Sequence, residues 1–152
     1  MNDTDFMREA LLEAEKAAAA GEVPIGAVAV KDGVIVARGR NRVEELHSVS
    51  AHAEFQLLHE LEKLSGDWRM SDYTFYVTKE PCPMCAGMLI NSRVKRVVFG
   101  TGDPAAGGMG GAFDLNAVPG LLWHCDVTPG VLADESLAII RDFFRKRRSS
   151  NK

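Results

Sequence analysis

The sequence is poor in cysteine, aromatics and net charge, and it contains no long apolar run. Three cysteines are too few, and odd in number, for the disulfide framework of a small secreted fold. Without a stretch of roughly 20 apolar residues, no helix is expected to span a bilayer. The opening Met1-Asn2-Asp3-Thr4-Asp5 lacks the basic-then-apolar layout of a secretion signal, so a cytoplasmic location is expected. A net charge of −3 gives the whole chain no attraction to nucleic acid. No repeat, linker or second domain is visible, and 1–152 is read as one domain able to bury its own core.

The charge is unevenly placed. Residues 141–152 carry six bases (Arg141, Arg145, Lys146, Arg147, Arg148, Lys152) against Asp142, a local +5, while the remaining 140 residues carry −8. A basic end on an acidic body is a candidate phosphate contact. The same cations also suit a helix C-terminus, where they complement the macrodipole.

Hydrophobic periodicity predicts a helix from Asp3 or Thr4 to Ala20, ended by Gly21 and Pro24. Ile25–Val30 and Val34–Ala37 flank Asp32-Gly33, a hairpin signal. A helix is expected over Ala51–Leu64, with Ser50 as its capping hydroxyl. Strands are expected at Thr74–Thr78, Val94–Phe99 and His124–Val127. A short helix is expected over Pro83–Ser92, proline being tolerated in a first turn. A final helix is read over Leu132–Arg148, and the five glycines of 102–111 mark a loop. Helices interleaved with strands predict an α/β fold with a mixed sheet covered on both faces.

Two segments carry chemistry. His52-Ala53-Glu54 opens one predicted helix, and Pro81-Cys82-Pro83-Met84-Cys85 opens another. Imidazole and thiolate are the ligands zinc prefers, and Cys82 and Cys85 fall on one side of a helix start. The positive end of that helix favours thiolate over thiol. One histidine and two cysteines make three ligands, leaving the fourth position of a catalytic zinc for water. His59 lies two turns beyond His52, too far to share its ion. His47 stays open as a fourth ligand on spacing alone. Cys125 stands apart and reads as a small buried residue. Glu54, at the same helix end, is placed to take a proton from the metal's water and deliver it to a leaving group. Its structural alternative is simple compensation of the helix dipole.

His52-Ala53-Glu54 with Pro81-Cys82-x-x-Cys85 resembles the signature of the zinc nucleobase deaminases. Further segments are similar to bacterial tRNA-specific adenosine deaminases. They are Glu22-Val23-Pro24-Ile25-Gly26-Ala27, Gly39-x-Asn41-Arg42, Tyr76-Val77-Thr78-x-Glu80, Met84-Cys85-Ala86-Gly87, Ser92-Arg93, Arg96–Gly100 and Gly130–Glu135, together with Phe143-Phe144-Arg145-x-Arg147-Arg148. The resemblance implies a cytidine deaminase-like three-layer α/β/α sandwich around a mixed five-stranded sheet. It also implies one Zn2+ per subunit on His52, Cys82 and Cys85, with Glu54 catalytic. The implied reaction is hydrolytic deamination of adenosine to inosine at the tRNA wobble position, using a zinc-activated water. Val23, Pro24, Asn41, Ala53, Pro81 and Asp103 would contact substrate. Phe144, Arg145, Arg147 and Arg148 would meet the anticodon stem-loop, whose unpaired bases can be gripped singly. A homodimer is implied as well. Against the usual pattern, Ser48-Val49-Ser50 stands for Asp-Pro-Thr, Lys79 for leucine, Phe55 for an aliphatic residue and Gly102 for arginine.

Gly100-x-Gly102-x-x-Ala105 is not read as a dinucleotide fingerprint, because no helix follows it. A thioredoxin-like reading of the two cysteines leaves His52 and Glu54 unexplained. Two rival functions share the zinc site: a deaminase of a free guanine- or cytosine-type base or nucleoside, and a silent RNA-binding subunit with structural zinc. The basic tail separates the first from a tRNA enzyme, and Glu54 argues against the second.

Overall fold

The computed structural model describes residues 1–150; Asn151 and Lys152, at the end of the basic stretch, lie outside the described residues. Helix α1 (Asp3–Ala19) starts with a reciprocal cap. Asn2 Oδ1 accepts from the Asp5 amide and Asp5 Oδ2 from the Asn2 amide, both at 2.9 Å. Strands β1 (Gly26–Lys31) and β2 (Val34–Arg40) form the expected hairpin. Asp32 and Gly33 both take positive φ, 51° and 75°, which matches the twist of the flanking strands. After them come α2 (Val43–Leu46), α3 (Ala53–Ser65), β3 (Thr74–Lys79), α4 (Pro83–Asn91), β4 (Arg96–Thr101), a 3-10 turn (Leu115–Ala117), β5 (Asp126–Thr128) and α5 (Ala133–Ser150).

The sheet runs β2-β1-β3-β4-β5. Strand β1 is antiparallel to both neighbours, whereas β3, β4 and β5 are parallel. Alternation along the strands separates two cores. Val28, Val30, Tyr76 and Val98 meet Phe6, Met7 and Ala10 of α1, with Val131 and Leu132 at the approach to α5. Ala27, Ala29, Phe75, Val77, Val97 and Phe99 meet Leu57, Leu58 and Leu61 of α3 and Ala86, Leu89 and Ile90 of α4. The result is the α/β/α sandwich with a mixed five-stranded sheet that the sequence predicts. Gly26 lets β1 press onto α1, since a Cβ there would lie 2.3 Å from the Ala10 carbonyl oxygen.

Two expectations need correction. Helix α3 begins at Ala53, and its N-cap is His52; Ser50 caps nothing and faces the Ser48 hydroxyl at 3.1 Å. The turn α2 has no counterpart in the sequence reading, because its cap comes from a distant side chain. Glu22, 1% exposed, accepts from the amides of Glu44 and Glu45 at 3.0 and 2.8 Å. Trp123 donates its indole N–H to the Val94 carbonyl at 2.9 Å. Trp68 lies exposed under the Arg69 guanidinium, 4.7 Å from ring centroid to Cζ. No helix among the described residues is long and apolar enough to cross a membrane.

Candidate active site

Strand register gathers the predicted metal-ligating, catalytic and substrate-contacting residues at one end of the sheet. Gly26 pairs with Arg40, Ala27 with Val77, and Lys79 with Thr101. The start of β1, with Val23-Pro24 before it, therefore lies beside the ends of β2, β3 and β4. Asn41 follows β2, Glu80-Pro81-Cys82 follows β3 and Asp103 follows β4. Helices α3 and α4 both begin here. His52 is the N-cap of α3 and Cys82 the N-cap of α4, with Pro83 in the first turn. Each cap places one ligand outside the helix, while Glu54 and Cys85 sit inside the first turns. That is how residues two apart, His52 and Glu54, reach one corner.

His52 Nδ1 lies 3.7 Å from Cys82 Sγ and 3.4 Å from Cys85 Sγ. Tetrahedral zinc with ordinary bond lengths separates a nitrogen and a sulfur ligand by about 3.6 Å. All three donor atoms lie within 4.8 Å of one another, and among the described residues they form the one such cluster. The donor set and spacing fit zinc. His47 is exposed in a left-handed turn, with φ 50°, and does not join the cluster. Cys125 is buried in the core with its thiol toward the Leu89 carbonyl, and burial raises its pKa to about 11.

The electrostatics suit a thiolate-binding metal. A hydrogen bond from Cys85, supported by His52, brings the Cys82 thiol down to about 4. Cys85 is pushed up by the same hydrogen bond and by burial, so the pair shares a proton that a metal would displace. The bond to Cys82 and the charge of Glu54 raise His52. Glu54 is 4% exposed, and burial raises its carboxyl above the ordinary range despite the opposing pull of the His52 charge. A carboxyl so placed is suited to accept a proton and return it.

Asn41 is buried. Its amide donates to the Val23 carbonyl at 3.3 Å, its Oδ1 accepts from the Val43 amide at 3.4 Å, and its own N–H donates to the Ile25 carbonyl at 3.0 Å. Asn41 is thus tied to the segment Val23–Ile25. The Arg42 amide donates to the Ala51 carbonyl at 2.9 Å, joining that segment to the one before His52. Ala53 and Pro81 are buried beside the ligands.

Glu80, which sequence reasoning passed over, organises the glycine-rich loop. It is 4% exposed, and its carboxylate accepts from the amides of Asp103, Met109 and Gly111, each at 2.9 Å. A Cβ at Gly107 would lie 2.2 Å from this carboxylate, and one at Gly111 2.5 Å. The glycines are there because the loop wraps a carboxylate one residue from Pro81. Gly108 completes the fit by donating to the Pro81 carbonyl at 2.7 Å. The glycine run was itself the available signal, since it marks a close approach without naming the partner.

The predicted RNA-binding residues lie elsewhere. Phe144, Arg145, Arg147 and Arg148 are exposed on the last turns of α5, whose one buried residue is Ser136. Arg145 and Lys146 pair with Asp142, and Arg147 stacks 5.5 Å over Phe143. A groove of about 1420 Å3 between α1 and α5 holds no metal-ligand cluster, so volume does not mark the site here.

A three-ligand metal cluster with an adjacent buried carboxylate, on a five-stranded α/β/α sandwich, defines the zinc nucleobase deaminase class. A profile of the MafB19-like deaminases matches residues 1–148, and the chain belongs to that family. It is 44% identical over 150 residues to a tRNA-specific adenosine deaminase of Bacillus subtilis, covering 99% of this chain and 93% of that protein. It is 53% identical over 108 residues to the chloroplastic tRNA(adenine(34)) deaminase of Arabidopsis thaliana, covering 71% of this chain and 8% of that one. In three dimensions it is similar to a structure from a study of A-to-I editing by tRNA:A34 deaminases, with TM-score 0.86 and 39% identity over 90% of this chain and 99% of that one. The guanine deaminase of Nitrosomonas europaea shares the fold at TM-score 0.79 and 25% identity, covering 92% and 83% of the two chains.

Proposed function

We propose that this deaminase converts adenosine to inosine at the wobble position of tRNA, consuming one water and releasing one ammonia. The observation that carries the reading is the His52–Cys82–Cys85 cluster with Glu54 in the same buried corner. It stands in a chain 44% identical over nearly its full length to a tRNA-specific adenosine deaminase. In this reading His52, Cys82 and Cys85 hold one Zn2+, which when bound lowers the pKa of a water toward neutrality. The Glu54 carboxylate would take a proton from the attacking water and return it to the departing amino group. Asn41, with Val23 and Pro24, walls and orients the flipped base, and Ala53 and Pro81 close its sides. Asp103 contacts the nucleotide at the rim.

Phe144, Arg145, Arg147 and Arg148 bind the anticodon stem-loop. Their exposure and clustered charge support that role, because unpaired loop bases offer stacking faces and phosphates offer anions. The protein is proposed to work as a cytoplasmic homodimer. Exposed apolar side chains at Met84, Phe113 and Leu122 support pairing with a second copy.

The test uses zinc-loaded protein with an anticodon stem-loop carrying wobble adenosine and, in parallel, with free guanine, cytosine and their nucleosides. Inosine in the RNA, with no ammonia from the free compounds, is expected. Ammonia from a free base alone would transfer the chemistry to the small-molecule reading.

A further inference from the structure

Asp103 reaches its place at the rim with its acceptors already engaged. Oδ1 accepts from the amides of Ala105 and Ala106 at 3.0 and 3.1 Å, and Oδ2 faces Lys79 Nζ at 3.2 Å. Its backbone N–H is held by Glu80. Burial alone would raise this carboxyl, but the two amides and Lys79 together lower it.

Lys79 ends β3, three residues before Cys82. By strand alternation it shares a face with Phe75 and Val77, the face on which α3 and α4 pack. Its donors are less committed than those of the neighbouring arginines. Arg42 gives Nε and Nη2 to Glu45 and Nη1 to Gln56, while Arg40 gives its donors to Glu45 and the Asn41 carbonyl. The Lys79 ammonium has three N–H donors and one acidic partner, and its side chain is 32% exposed.

We propose that Lys79 is a phosphate-contacting residue of the substrate site, with Asp103 the strut that aims its ammonium at the backbone of the nucleotide entering the zinc corner. The inference rests on the RNA reading above and extends it to a residue that the metal chemistry does not need. A cation here also offsets the charge of Asp103 and of the buried Glu80 behind it, which would otherwise repel a polyanion.

The experiment measures stem-loop affinity by fluorescence anisotropy across a salt series, using zinc-loaded wild type, Lys79→Leu, Lys79→Gln, Lys79→Arg and Asp103→Asn. Loss of one phosphate contact on a single strand lowers the slope of log Kd against log salt by about 0.7. Lys79→Leu and Lys79→Gln are expected to lose that slope, to weaken low-salt binding roughly tenfold, and to raise KM more than they lower kcat. Lys79→Arg should restore both quantities, and Asp103→Asn, which leaves the ammonium without its strut, should lose part of the slope that Lys79→Leu loses. A wild-type slope in Lys79→Leu and Lys79→Gln, even with weaker binding, would overturn the proposal and reduce Lys79 to a brace for Asp103. No stem-loop binding by the wild type at any salt would overturn the RNA reading beneath it.

Discussion

The zinc corner and the C-terminal end of α5 are held in opposite ways. At the corner, chemistry-bearing residues are buried and tied from several directions. Two helix starts present His52 and Cys82, the Glu80 carboxylate gathers three loop amides, and Glu22 caps α2 beside Asn41. On the last turns of α5 the side chains are exposed and bond mainly to one another, as Arg145 and Lys146 do with Asp142. A reacting atom must be placed to a fraction of an ångström, whereas a polyanion needs charge of the right sign within a Debye length. Substitutions at the corner should therefore change chemistry and stability, and those on α5 should change affinity alone.

The largest effect is expected at a ligand. Cys85→Ser should lose bound zinc and, with it, essentially all deamination, read by metal analysis and ammonia release. Full activity with stoichiometric zinc would remove Cys85 from the ligand set. Next comes Glu80→Ala, which leaves three amides without their acceptor. It should cost about 3 kcal/mol, or roughly 6–12 °C in Tm for a chain of this size, with kcat reduced because Asp103 and the Pro81 segment lose their anchor. A variant as stable as wild type would refute that anchoring.

On α5, replacing Arg147 and Arg148 together with glutamate should raise KM for the stem-loop at least tenfold, with Tm and zinc content unchanged. A drop in kcat at saturating RNA would blur the division between the two regions. The smallest effect concerns neither region. Arg96 grips Asp3 at 2.8 and 2.9 Å and, by this hydrogen bond first, lowers its pKa. Stability from a lowered carboxyl is present above its ordinary pKa of about 3.9 and is lost as pH falls through the folded value. Asp3→Asn should therefore cost about 1 kcal/mol at pH 7, kept small by solvent screening of a pair roughly one third exposed. The gap should close below about pH 3.9; an equal gap at both pH values would contradict it.

The same contrast governs what was legible beforehand. Zinc ties residue type to short spacing, so His52, Cys82 and Cys85 announce themselves within a few positions. Period-two and helical patterns likewise pointed to a mixed sheet covered on both faces, and the family resemblance added the five-stranded sandwich. Glu80 did not announce itself, because its three acceptor contacts lie 23, 29 and 31 positions away. Helix α2 was missed for a related reason: a four-residue turn has no periodicity of its own and borrows its cap from Glu22, 22 and 23 positions back. Ser50 misled by chemistry, being a good capping side chain two residues before a helix that His52 begins. Lys79 was visible as an unusual residue in its motif, but only the fold brought Asp103 to it.

The most direct test of the account uses Glu54→Gln, zinc-loaded, with the anticodon stem-loop under single-turnover conditions. Glutamine keeps the volume but cannot carry the proton. The expected result is wild-type zinc content and near wild-type RNA affinity, with inosine formation slowed by about 10²–10⁴-fold. Inosine at the wild-type rate with zinc retained would contradict the claim that this corner, through Glu54, performs the deamination.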